Sequence, residues 1–300
     1  MSDFSQYGVV SPEWLKVVDE RPPPDPSAGL KEMQQIVNKA REELSARDMR
    51  SLGIPVPVHM QDYAVPARDG TTLKVRTYRP ISAEKTTRLP IYIHLHGGGY
   101  VFGNIASEDA ICTRIAVGSS VTVVNLDYRH TPDFAYPTAW HDTEDVFHWV
   151  HDHIQELLGS PDQVVVGGIS AGAQLAAALA LRQNLSPDAL SRPKLAGQIL
   201  MIPALVHPAC YAPQLELLKD PSLSSYVQNE DAPLITKKAI EHFIALLKVE
   251  NPDPHDLLLN AGNASSSEVK GLPPTVFGIA GLDPLRDEGL FYAKKLAEAG

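Results

Sequence analysis

Cysteine is scarce in this sequence, and the scarcity removes several designs at once. Cys112 and Cys210 are the only two; they cannot make a disulfide framework and stand at no metal-ligand spacing. They read as buried thiols in a reducing compartment, so a cytoplasmic protein is expected. Basic charge is also short. With 26 Lys and Arg against 36 Asp and Glu, the formal net charge is −10. That balance argues against nucleic acid, whose phosphate backbone requires clustered Lys and Arg. No stretch reaches the roughly 18 apolar residues of a membrane span, so no membrane partner is expected. The opening residues MSDFSQYGVV lack the basic and apolar regions of a secretory signal. There is no internal repeat. The stretch HGGGY lacks the Lys-Ser/Thr of a P-loop, and no metal site is visible, so no cofactor is expected.

What is present suits a globular core. Apolar residues make up 44% of the 300 positions and charged ones 21%, enough for one large α/β domain or two small ones. Residues 1–60 are polar and irregular, with the proline cluster RPPPDP at 21–26. A helical pattern at 29–46 places Leu30, Met33, Ile36, Val37, Ala40 and Leu44 on one apolar face. It has no local sheet partner and reads as a lid or a peripheral helix. Two alternating runs flank Asp69-Gly70 within 61–80, which predicts an antiparallel hairpin at one sheet edge. Apolar runs then follow at 89–97, 120–129, 163–170, 195–205 and 274–283. Helical stretches include 108–118, 138–157 and 171–183. This alternation predicts a mostly parallel sheet covered on both faces. The long stretch between the last two runs holds one helix, 235–248, and reads as an insertion at the C-terminal edge of the sheet, where open α/β folds build their sites.

Two stretches carry chemistry. VVVGGISAGAQLA contains Gly168-Ile169-Ser170-Ala171-Gly172, a G-x-S-x-G where a buried strand passes into an Ala-rich helix. A nucleophile at the tip of so sharp a turn is strained, and its neighbours two residues away must lack bulk. The helix N-terminus behind Ser170 offers free N–H groups to a developing oxyanion. IHLHGGGYVFG places His96-Gly97-Gly98-Gly99 directly after an apolar strand. Consecutive glycines let backbone amides approach a ligand, so Gly98, Gly99 and Ala171 are the expected oxyanion-hole donors. His96 reads as an orienter of the loop rather than an acid or base, with Gly97 supporting it.

With these motifs the chain resembles the hormone-sensitive-lipase-like branch of the α/β-hydrolase fold. The segment DYRHTPDFAYPTAW (127–140) carries Tyr128, Arg129, Pro132, Asp133, Pro137 and Ala139 in the family's register. GISAGAQLA departs from the family's G-D-S-A-G-G-x-L-A at Ile169 and Ala173, and GLDPLRDEG (281–289) matches its acid loop. The resemblance covers about 60–300. It implies an N-terminal cap segment over 1–55 and a hydrolase domain over 56–300, with a cap insertion at about 206–273. It also implies cleavage of small-molecule, short-acyl carboxylic esters through an acyl-enzyme and a Ser–Asp–His triad. Ser170 carries over as nucleophile and Asp283 as the acid. Asp287 and Glu288 read as first-turn helix acids complementing the macrodipole. A homodimer is common in the family.

A triad histidine is not visible. None of the eleven histidines follows Asp283, and the sequence ends 17 residues after it. His207 and His130 are the candidates to substitute. Otherwise the base lies beyond Gly300 with a final strand, or the protein is an inactive relative that keeps the pocket and binds a ligand. A missing last strand exposes an apolar sheet edge, which favours the first reading.

Overall fold

The computed structural model describes residues 1–16, 29–52, 57–186 and 193–300. The proline cluster at 21–26 and the expected domain boundary at 55/56 lie outside the described residues. Among the described residues seven strands make one sheet: β1 (Val58–Pro66), β2 (Thr72–Pro80), β3 (Leu89–Leu95), β4 (Thr122–Asp127), β5 (Gly159–Ile169), β6 (Gly197–Met201) and β7 (Thr275–Gly278). Their order is β1-β2-β4-β3-β5-β6-β7. The β1–β2 and β2–β4 pairs are antiparallel and the others parallel. The hairpin is at the edge, as its alternation predicts, and Gly70 takes the left-handed backbone its turn requires (φ 84°). The run at 195–205 yields a shorter strand than its hydrophobicity suggests. Ile202 has left-handed backbone (φ 41°), and Pro203 has no N–H to give a ladder, so the strand stops at Met201.

The described helices of the α type are α1 (Pro12–Leu15), α2 (Leu30–Ser51), α3 (Asp109–Ser119), α4 (Thr138–Asp152), α5 (Ala171–Leu185), α6 (Ala212–Leu215), α7 (Ser225–Gln228), α8 (Lys237–Ala245), α9 (Ser266–Val269) and α10 (Arg286–Ala299). Alternate strand residues feed two cores, because side chains along a strand point to opposite faces. Ile91, Ile93, Val124, Val166 and Leu200 pack with residues of α4 and α5. Tyr78, Tyr92 and Val123 pack with Cys112 and Ala116 of α3. Helix α5 is buried from Ala171 through Leu181. Its run of alanines lets it lie close against β5, β6 and β3.

The insertion between β6 and β7 is mostly irregular, so its backbone depends on side chains for partners. Gln174 and Trp140 both donate to the Leu258 carbonyl, at 2.6 and 2.7 Å. Gln214 donates to Gly262 O at 3.1 Å and Asn260 to Asp253 O at 2.8 Å.

One expectation is corrected here and another extended. Helix α2 exists, but its apolar positions do not make one docking face: Leu30, Met33 and Val37 are half-buried, while Ile36 and Leu44 are 57% and 50% exposed. The side that meets the body carries Gln34, Asn38, Arg41, Glu42 and Ser45. The surface it covers is a loop of unpaired peptide groups, which calls for polar partners. Asp287 and Glu288 do lie in the first turn of α10, but both are wholly buried. Asp287 pairs with the buried Arg286 at 2.8 Å and accepts from Ser225 N at 2.7 Å; Glu288 accepts from Leu205 N at 2.8 Å. Their first-turn place is as expected, and burial against specific partners is added to it.

Replacing Arg286 by Met leaves the Asp287 carboxylate buried without its cation. The expected loss is about 3–5 kcal/mol of stability, read from urea unfolding. A variant as stable as the parent contradicts this view of the acid loop's support.

Candidate active site

Strand β5 ends at Ile169, and Ser170 makes the turn into α5 with φ 54° and ψ −117°. A side chain rarely adopts such backbone, and it is held here from both sides. Ser170 N donates to Met201 O at 2.8 Å, and Ser170 O accepts from Gln174 N at 3.1 Å. The flanking glycines are steric requirements. A Cβ on Gly172 would sit 2.1 Å from Leu95 O, and one on Gly168 would sit 2.4 Å from the Gly172 carbonyl carbon.

The loop that leaves β3 faces this turn. Gly98 and Gly99 have φ 138° and 62°, and a Cβ on Gly98 would lie 2.1 Å from Phe102 O. The Gly98 carbonyl accepts from Val101 and Phe102 amides at 3.0 and 2.9 Å. Among the described residues the amides of Gly98 and Gly99 themselves donate to nothing. Ala171, as first residue of α5, has an amide with no intrahelical acceptor.

His96 is wholly buried behind this loop. Its ring stacks on Tyr128 at 4.3 Å and meets His130 edge-on at 5.2 Å, and its Nδ1 lies 3.2 Å from Gly97 O. Burial, with His130 alongside, lowers its imidazole to about 3. The 127–140 segment supplies the backing: Tyr128 OH donates to His96 O at 2.8 Å, and Thr131 N to Tyr100 O at 2.9 Å. Arg129 is fixed in turn by Asp142, wholly buried, at 2.6 Å.

Asp283 lies in the loop after β7, nearly buried. One carboxylate oxygen accepts from Leu285 N at 2.9 Å; the other has no hydrogen-bond partner among the described residues. Burial raises its pKa against the pull of the Leu285 amide. Asn229, at the end of α7, holds the loop through Asp283 O at 3.0 Å and Gly281 O at 3.2 Å.

One cavity of about 590 Å³ contains Ser170, Gly97, Gly98, Gly99 and Asp283 in its lining. Its other walls are largely apolar: Val9 and Trp14 from the N-terminal segment, Phe102, and Leu234 and Phe243 from the insertion. None of the histidines lines it. His130 is packed among rings behind the loop, and His207 spends its Nδ1 accepting from Ala209 N at 3.1 Å. Neither is placed to act as base, which corrects that expectation. The structure also adds Arg41, from α2, to the cavity lining. Its guanidinium donates to Gly97 O at 2.9 Å and to Glu108 at 2.8 Å, while His94 faces the other oxygen of Glu108 at 3.0 Å. Burial pushes the Glu108 carboxyl up, but His94 and Arg41 outweigh it and hold it at about 2. Counting only apolar positions in α2 hides Arg41. The polar series Gln34, Asn38, Arg41, Ser45, at spacings of four, three and four, is the signal that finds it.

Burial, with a contribution from Arg41, lowers the His130 imidazole from 6.5 to about 4. Between those values the unfolded chain binds a proton that the folded protein refuses, so the contribution is complete above pH 6.5 and is lost as pH falls towards 4. His130→Phe keeps the ring contacts and is expected to flatten the fall in stability over that window by up to about 1.4 kcal/mol per pH unit. Urea unfolding at a series of pH values measures it; identical slopes contradict it.

Comparison with known proteins gives the same fold. A family model for the alpha/beta hydrolase fold matches residues 92–300. The chain is 33% identical over 234 residues to carboxylesterase NlhH of Mycobacterium tuberculosis, covering 77% of this chain and 68% of the relative. It is 30% identical to esterase LipI of the same organism, over 96% of this chain and 87% of the relative. Among solved structures, vibralactone cyclase superposes with a TM-score of 0.87 at 30% identity, over 98% of this chain and 84% of that one. Sheet order, family model and relatives coincide, and the chain belongs to the hormone-sensitive-lipase-like family of α/β hydrolases.

Proposed function

We propose that the protein is a carboxylesterase that cleaves esters of small apolar molecules through an acyl-enzyme on Ser170. The observation that carries this reading is the strained Ser170 sharing one cavity with glycine amides that have no acceptor of their own. Ser170 Oγ attacks the ester carbonyl carbon. The carbonyl oxygen gains negative charge and is received by the amides of Gly98, Gly99 and Ala171. A histidine takes the serine proton and passes it to the departing alcohol. Water then repeats the sequence on the acyl-enzyme and releases the acid. Asp283 is the carboxylate that orients that histidine and balances its charge, and its unpartnered oxygen supports the role.

The base is the histidine that, in the family the chain resembles, follows the acid in sequence. Residues 1–55 and 206–273 act as the cap, a role supported by Val9, Trp14, Leu234 and Phe243 in the cavity wall. A volume of about 590 Å³ suits a small, largely apolar ester. The acyl-enzyme is common to hydrolysis and to ring closure. The likeness to vibralactone cyclase makes a hydroxyl within the substrate a second acceptor to assay beside water. Free, buried Cys112 and Cys210 support a reducing, cytoplasmic setting.

The test uses the full-length protein. A fluorophosphonate is expected to label Ser170, and p-nitrophenyl butanoate to be hydrolysed. Ser170→Ala is expected to lose at least about 10³-fold in kcat, and Asp283→Asn about 10⁴-fold. Tight ligand binding without turnover, or full activity in Ser170→Ala, refutes the proposal.

A further inference from the structure

We infer that Arg41 is a positioning residue for the proposed oxyanion loop, and that the hole is correctly formed only while helix α2 is docked. The inference rests on the serine-esterase reading above. It begins with one peptide plane. The Gly97 carbonyl and the Gly98 N–H belong to the same trans peptide, so they point in opposite directions. Arg41 Nη1 binds Gly97 O at 2.9 Å. Holding that oxygen on the α2 side turns the Gly98 N–H to the other side. A cationic donor on the carbonyl also polarises the peptide and makes its N–H a stronger donor.

The guanidinium is itself fixed. Its Nη2 binds Glu108 Oε1 at 2.8 Å, and Glu108 Oε2 faces His94 Nε2 at 3.0 Å. His94 is on β3, one residue before the strand ends, and Glu108 is where the chain comes back to begin α3. The loop's departure, its return and its proposed donor peptide are thus joined through one arginine from another element. His96 Nδ1 lies 3.2 Å from the same Gly97 oxygen, but it is a neutral ring at the start of the loop itself and carries no link to the cap.

The rest of α2 reads along the same loop. Gln34 donates to Val101 O at 2.6 Å, and Asn38 accepts from Gly103 N at 2.8 Å. Glu42 accepts from Asn104 at 2.6 Å, and Ser45 from Ala110 N at 3.1 Å. Arg41 alone among them both contacts the glycine run and lines the cavity. The hydrogen bonds to this loop come from polar side chains of α2, while Ile36 and Leu44 are turned outward and Leu30, Met33 and Val37 are half-buried.

The experiment compares wild type, Arg41→Met, Arg41→Lys and Ser170→Ala in the ester-hydrolysing chain. It measures kcat, KM, and the affinity of an alkyl trifluoromethyl ketone, whose adduct carries the oxyanion. Arg41→Met is expected to lower kcat by about 10- to 100-fold with KM unchanged, and to weaken the ketone by the same factor. Arg41→Lys falls between, and added methylguanidinium restores part of the Arg41→Met loss. Unchanged kcat and ketone affinity, with only melting temperature or KM altered, overturns the inference and leaves Arg41 a docking contact. If Arg41→Met does not fold, Glu108→Gln, which keeps the shape but loosens the guanidinium, is expected to lower kcat and ketone affinity together; no change in either overturns it. Hydrolysis undiminished in Ser170→Ala sinks the esterase reading and this inference with it. Ser170→Ala inactive beside a fully active Arg41→Met sinks this inference alone.

Discussion

A methyl group added at Gly172 would lie 2.1 Å from the Leu95 carbonyl oxygen and 2.5 Å from that of His96. The first residues of α5 therefore press directly on the end of β3, backbone against backbone. That contact brings the turn at Ser170 and the loop at Gly97–Gly99 into one cavity, although about seventy residues separate them in the chain. Parallel pairing of β3 with β5, Leu95 opposite Gly168, aligns the two strand ends. The glycines permit the last approach. A larger residue at 168 or 172 would push the turn and the loop apart, and neither could serve the other.

Around that contact the protein repeats one solution: irregular backbone near the cavity is held by buried side chains from remote elements. Tyr128 and Thr131 hold the loop from behind, and the stripe on α2 holds it from the other side. Asn229 and the Arg286–Asp287–Ser225 group hold the loop of Asp283. The insertion is tied to α4 and α5 through Trp140 and Gln174. Preorganisation of this kind matters for acyl transfer, because donors already in place need no reorganisation when charge appears. The apolar wall serves the same end by keeping a low dielectric around those donors.

The sheet was legible because its information is local. Continuous Val, Ile and Leu runs, an Asp-Gly turn and an alanine-rich helix each state their structure within a few residues. The glycine pattern around Ser170 was legible for a related reason: steric exclusion leaves a fixed spacing. Arg41 was not, since its meaning depends on Gly97 and Glu108, both more than fifty positions away. The same holds for Asp287 and Glu288: their first-turn position is legible, but their burial against Ser225 of α7 and Leu205 beyond β6 is not. The strand ending at Met201 rather than at 205 reflects Ile202 and Pro203, which hydrophobicity alone overlooks. Histidines proved the hardest to read. His94, His96 and His130 belong to the support of the glycine loop, and only burial and ring packing reveal it.

In the proposed site Ser170 and the three amides act on one ester carbonyl group, the serine at its carbon and the amides at its oxygen. A crystal structure of the phosphonate-inhibited protein tests it most directly. The account predicts phosphorus bonded to Ser170 Oγ and the phosphoryl oxygen at about 2.7–3.1 Å from the amides of Gly98, Gly99 and Ala171. A phosphoryl oxygen turned away from the glycine loop, or an adduct on any other residue, contradicts it.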